Sequence, residues 1–94
     1  MKIVNGFKLK IIQGKDGEEE KGVIIAVGEA SKKLNGIITL NETATKVFKY
    51  IENGLTFDEI VDKMLEEFDV ERCVLENDIN SVILEFKKTG VIDE

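Results

Sequence analysis

The spacing of the apolar residues changes once along this chain, near residue 41, and that change constrains the fold more than any other feature. Before it, Phe7, Leu9 and Ile11 alternate with Lys8 and Lys10. A period of two places the apolar side chains on one face of a β-strand and the lysines on the other. Val23 to Val27 is a continuous apolar run of strand length, and Ile37-Ile38-Thr39-Leu40 reads as a third, short strand. The polar, glycine-punctuated stretch from Gly14 to Gly22 is a hairpin loop, and Asn35-Gly36 is a turn signal ahead of the third strand. After residue 41 the apolar residues recur every three or four positions, the mark of amphipathic helices.

Three helices are expected there. Asn41 is suited to cap the first, accepting from backbone N–H groups that have no partner in the opening turn. Its apolar stripe is Ala44, Val47, Phe48 and Ile51, and Asn53-Gly54 stops it. Thr56-Phe57-Asp58-Glu59 is a capping box opening the second helix, whose stripe is Ile60, Val61, Met64, Leu65 and Phe68. The third begins near Glu71, with Asp69 as its candidate cap. Leu75, Ile79, Val82 and Phe86 fall within about 60° of one another on this helix and form its core face. Gly90 ends it, and Val91-Ile92 is expected to fold back onto the core. The expected class is α+β and winged-helix-like: a three-stranded antiparallel sheet followed by a three-helix bundle. It forms one domain over residues 1–94, with strands within 7–40 and helices within 42–89.

Charge and composition narrow the function. Residues 1–41 hold seven lysines against five acids, whereas residues 42–94 hold six cations against 14 acids, for a net charge of −6. Nucleic-acid binders need a basic footprint, so this balance argues against one. There is no histidine and a single cysteine, so neither a Ser-His-Asp or Cys-His constellation nor a Cys/His zinc site can be assembled within the chain. One cysteine also excludes an intrachain disulfide, and no apolar run approaches the roughly 20 residues of a membrane span. The start of the chain lacks the features of a secretory signal, so a cytoplasmic protein without cofactor or metal is expected.

The residues that would carry chemistry read more simply as structure. Cys73 sits in the first turn of the third helix, but no histidine is present to act as its base. The acids Asp16, Glu18, Glu19 and Glu20 lack the alternating ligand spacing of a calcium loop. Asp58 and Asp62 lie one helical turn apart on a solvated acidic face. A winged-helix DNA-binding regulator would use the third helix as reader, yet its charges, Arg72, Lys87 and Lys88 against Glu76, Asp78 and Glu85, cancel, and the second helix is acidic. That regulator and a structural subunit of an enzyme complex are the alternatives to a binding module.

At Leu40-Asn41-Glu42-Thr43-Ala44 the chain resembles the PqqD family of small peptide-binding proteins. The likeness continues through Val47-Phe48, where the family often has tryptophan, then Gly54, Thr56, Glu59 and Ile60. It runs on through Phe68-Asp69-Val70, Asp78-Ile79, Leu84 and Gly90-Val91-Ile92. It covers residues 36 to 92 approximately, and the first two strands fit only in pattern. The resemblance implies a non-catalytic domain that binds the leader of a precursor peptide as an added strand. It also implies presentation of that leader to a modifying enzyme, often a radical S-adenosylmethionine protein. The leader would pair with Ile37, Ile38, Thr39 and Leu40, a strand with neither the charge nor the proline that normally blocks an edge. On the third helix, Glu76, Asn80, Ile83 and Lys87 are the candidate groove residues, with Leu84 on the side away from the core. A homodimer pairing two such edges is compatible with the same feature.

Overall fold

The computed structural model describes residues 2–12, 21–28 and 37–93. In chain order these form β1 (Lys2–Ile3), β2 (Phe7–Ile12), β3 (Lys21–Ala26), β4 (Ile37–Leu40), α1 (Glu42–Glu52), α2 (Phe57–Glu67), α3 (Arg72–Thr89) and β5 (Ile92–Asp93). The antiparallel sheet has the order β2-β3-β4, with Leu9 opposite Ile24 and Ile24 opposite Ile38. The expected architecture of a three-stranded sheet followed by three helices is therefore present. The hairpin acids at 16 and 18–20 and the Asn35-Gly36 turn lie outside the described residues.

Alternation decides what the sheet buries. Phe7, Ile24 and Leu40 face the helices and are buried, with Leu9 and Ile38 partly buried beside them. Lys8, Lys10 and Lys21 point to the opposite face. α1 is the hub of the helical layer and packs against β1, β3, β4, α2 and α3. Its residues Val47 and Phe48 join Ile24, Ile60, Val61, Met64, Ile79 and Val91 as the most deeply buried side chains.

Local chemistry sets the helix ends. Asn41 Oδ1 accepts from the Ala44 N–H at 2.8 Å. Thr56 and Glu59 close the capping box reciprocally, Glu59 Oε1 accepting from the Thr56 N–H at 2.9 Å and Thr56 Oγ1 from the Glu59 N–H at 3.3 Å. Gly90 adopts φ 79°, a left-handed conformation that only glycine takes at little cost, and reverses the chain so that Val91 N–H donates to Phe86 O at 2.8 Å. Ion pairs then tie the helices together at the surface. Lys46 meets Glu67 at 3.1 Å and Arg72 meets Asp62 at 2.8 Å. Tyr50 O–H donates to Glu67 at 3.4 Å, and its partial burial, followed by the charge of Glu67, holds the phenol above its usual range.

Four expectations are corrected. The cap of α3 is Glu71, not Asp69, and it makes no side-chain capping bond; the chain is still extended at Glu71, two residues past Asp69. Lys21 and Gly22 belong to β3 rather than to the hairpin loop, because they pair with Ile12 and Ile11 across the sheet. Strands also occur outside 7–40: Ile92–Asp93 pairs with Lys2–Ile3, so the tail that folds back becomes part of a second, two-stranded ribbon. Ile83 is 4% exposed and belongs to the core, whereas Val82 is only partly buried. The buried stripe of α3 takes in Ile83 because the helix packs against α2, α1 and the C-terminal segment, and all three contribute to its burial.

Gly22 shows how closely β3 lies on α1. A Cβ there would stand 2.7 Å from Thr45 Oγ1 and 2.8 Å from Leu9 Cδ1. Thr45 is buried and donates to Asn41 O at 2.8 Å, so it cannot give way without losing that bond. Gly22→Ala is expected to destabilise the fold by about 1–3 kcal/mol, the usual cost of overpacking a tight contact. A urea denaturation curve with an unchanged midpoint would contradict this packing.

Candidate functional site

β4 ends the sheet, pairing with β3 and with no other strand among the described residues. The direction of its backbone groups follows from one bond. Val27 N–H donates to Gly6 O at 2.8 Å, so these two residues form a hydrogen-bonded pair. Successive residues of a strand turn their N–H and C=O groups to opposite sides. The register is unbroken from Phe7↔Ala26 to Ile12↔Lys21, so Ile25 and Val23 also point toward β2. Gly22 and Ile24 therefore point toward β4, where they face Leu40 and Ile38. It follows that Ile38 and Leu40 spend their backbone groups on the sheet. Ile37 and Thr39 turn theirs to the outer edge.

Beside this edge lies a groove of about 240 Å³ between β4 and α3. Its apolar floor is made by Ile38, Leu40, Ala44, Val82 and Phe86, and Thr39, Glu85 and Thr89 complete its walls. It continues past Val82 and Asn41 into a second hollow of about 330 Å³, walled by Thr43, Asp78 and Ser81. The groove thus follows successive turns of α3 from residue 78 to residue 89. The fold provides its parts for ordinary reasons: β4 reaches the first turn of α1 through the Asn41 cap, and α3 crosses both.

The sequence-derived site residues divide sharply. Ile38, Thr39 and Leu40 line the groove, and Ile37 continues the same edge while its side chain, 64% exposed, lies on the other face of the sheet. Glu76, Asn80, Ile83 and Lys87 are not brought to it. Ile83 is in the core, Glu76 pairs with Arg72 at 3.6 Å, and Asn80 and Lys87 are exposed. At about 100° per residue, Glu76, Asn80 and Lys87 lie on one flank of the buried line of α3, while Asp78, Val82, Glu85 and Thr89 lie on the other. The row Asp78-Val82-Glu85-Thr89 has the three- and four-residue spacing of a single helix face, and its one apolar member was the available signal. By periodicity alone Val82 reads as a core position.

Two of the other chemical candidates make surface contacts. Asp62, of the Asp58–Asp62 pair, is engaged by Arg72. Cys73 is exposed, its thiol 3.7 Å from Glu71. Among the described residues no group of three or more metal-ligating side chains occurs, and no helix is long and apolar enough to cross a membrane.

Comparison with known proteins bears on the fold and the family. A solved structure, TbiB1 in complex with the TbiA(beta) leader peptide, has the same fold, with a TM-score of 0.74 at 18% identity. The likeness covers 99% of this chain and 95% of that one. No curated protein matches the sequence. The model of the family described as coenzyme PQQ synthesis protein D matches residues 19–92, from before β3 to the first residue of β5. A match over that much of the chain, which takes in the open edge, the capped α1 and the whole of α3, places this protein in the PqqD family.

Proposed function

We propose that this protein binds the leader segment of a precursor peptide as a fourth strand along β4. It holds that segment for a separate enzyme that modifies the peptide, and does no chemistry itself. The observation that carries the reading is the outward backbone of Ile37 and Thr39 beside the groove lined by Val82 and Phe86. Strand addition takes its affinity from main-chain bonds and its selectivity from pockets for alternate side chains, and this arrangement supplies both. Membership of the PqqD family and a fold shared with a protein solved in complex with a leader peptide support it. The work belongs where precursor peptides are made, in the cytoplasm, and a radical S-adenosylmethionine protein is the partner that the family suggests. Two copies pairing their β4 edges would compete with the leader for the same groups.

The test is a titration of isotope-labelled protein with a synthetic leader encoded beside its own gene, followed by amide NMR. Shifts are expected at residues 37–40 and 82–89, with the exposed acidic face of α2 unchanged. Shifts concentrated on α2, or none at saturating peptide, would refute the reading.

A further inference from the structure

We propose that the strand taken up by β4 is selected for basic side chains, Lys or Arg, set against Glu85 and Asp78 on either side of an apolar residue seated on Val82 and Phe86. This rests on the strand-addition reading above and specifies its ligand.

Three observations meet here. The floor of the groove is apolar, so the side chain that covers it must be apolar too. The charged residues lining the groove and its continuation are acidic, Glu85 in one and Asp78 in the other. Neither carboxylate has a hydrogen-bond or ion-pair partner among the described residues, whereas Asp62, Glu67 and Glu76 are held by Arg72 or Lys46 and Glu59 by its own cap. Lysines of the sheet do not compensate them, because Lys8, Lys10 and Lys21 lie on the opposite sheet face.

Spacing turns this into a pattern. Asp78 and Glu85 are seven residues apart, so they are separated by about 10.5 Å along α3. A strand advances about 3.4 Å per residue and turns every second side chain to one face. Side chains four residues apart therefore share a face and lie about 13.6 Å apart, within the reach of flexible Lys and Arg stems. The expected ligand pattern is basic-x-apolar-x-basic, the middle residue over Val82 and Phe86. The acidic helical half of the chain would also draw such a segment in from solution.

The experiment selects binders from a displayed random peptide library on the wild-type domain and repeats the selection on Glu85→Lys, Asp78→Lys and Thr39→Pro. Peptides that require an intact β4 edge should be enriched in Lys or Arg at the paired positions. Replacing Glu85 by Gln should weaken such a peptide by about two- to fivefold at low ionic strength, and the difference should fade in high salt. On Glu85→Lys the preference should pass to Asp or Glu. Peptides that need Thr39 but show no charge preference would overturn the basic pattern and leave strand addition standing. If no selected peptide depends on Thr39, the strand-addition reading falls and takes this one with it.

Discussion

Thr39→Pro should leave the domain folded and weaken leader binding by about 1–3 kcal/mol, whereas Ile38→Pro, one residue away, should damage the fold itself. The opposite outcomes follow from backbone parity. The N–H of Thr39 points to the outer edge, where its loss deprives only an incoming strand of a donor. Proline is tolerated at an edge position of this kind, and the residue before it prefers the extended conformation that Ile38 already has. The N–H of Ile38 points toward Ile24, which is fully buried, so proline there removes a ladder bond and strains the centre of the sheet. Circular dichroism and urea denaturation report the fold, and leader titration reports the edge. If Thr39→Pro binds like the wild type, the peptide does not add to β4. If Ile38→Pro is as stable as the wild type, the register of the sheet is wrong.

Phe48→Ala should cost about 3–5 kcal/mol. That is a large share of the roughly 5–15 kcal/mol that holds a domain together, so much of the protein should be unfolded at moderate temperature. Phe48 is fully buried on α1, and its ring meets that of Phe86 edge-on, with centroids 6.0 Å apart and planes at 87°. Edge-to-face contact is a favoured aromatic geometry and adds to the burial. Phe86 also forms part of the groove floor, so the cavity left by Phe48 would loosen the wall on which the leader is expected to rest. Denaturant midpoints give the first effect, and leader affinity under conditions where the variant remains folded gives the second. A loss below about 1 kcal/mol would mean that the centre of the core lies elsewhere.

Much of the architecture is legible in the sequence itself, because it depends on neighbours along the chain. The alternation of Phe7, Leu9 and Ile11 gives a strand in any context with one buried face. Asn41, the Thr56–Glu59 box and Gly90 act within one helical turn, and each is found where expected. The series from Leu40 to Ile92 carried the family for the same reason, since its caps and core positions have fixed spacing. The strand Ile37–Leu40 stood out by lacking the charges that guard an edge.

What lay beyond the sequence concerned the relation between elements. The periodicity of α3 gives the direction of its buried line but treats the two flanks as equivalent. Val82, Glu85 and Thr89 face the groove, and Glu76, Asn80 and Lys87 do not, only because β4 and the start of α1 lie on one side of the helix. The burial of Ile83 and the pairing of β1 with β5 depend equally on segments far apart in the chain meeting in space. The outward turn of Thr39 was undetermined as well: alternation requires that either Ile38 or Thr39 face the edge, and only the pairing of β3 with β2 chooses between them. Sequence determined which elements form and which strand is left open, because those follow from local conformational preference and burial pattern. Tertiary structure decided which side chains line the opening and which backbone groups it offers, because a helix flank and a strand edge acquire a direction only when another element packs against them.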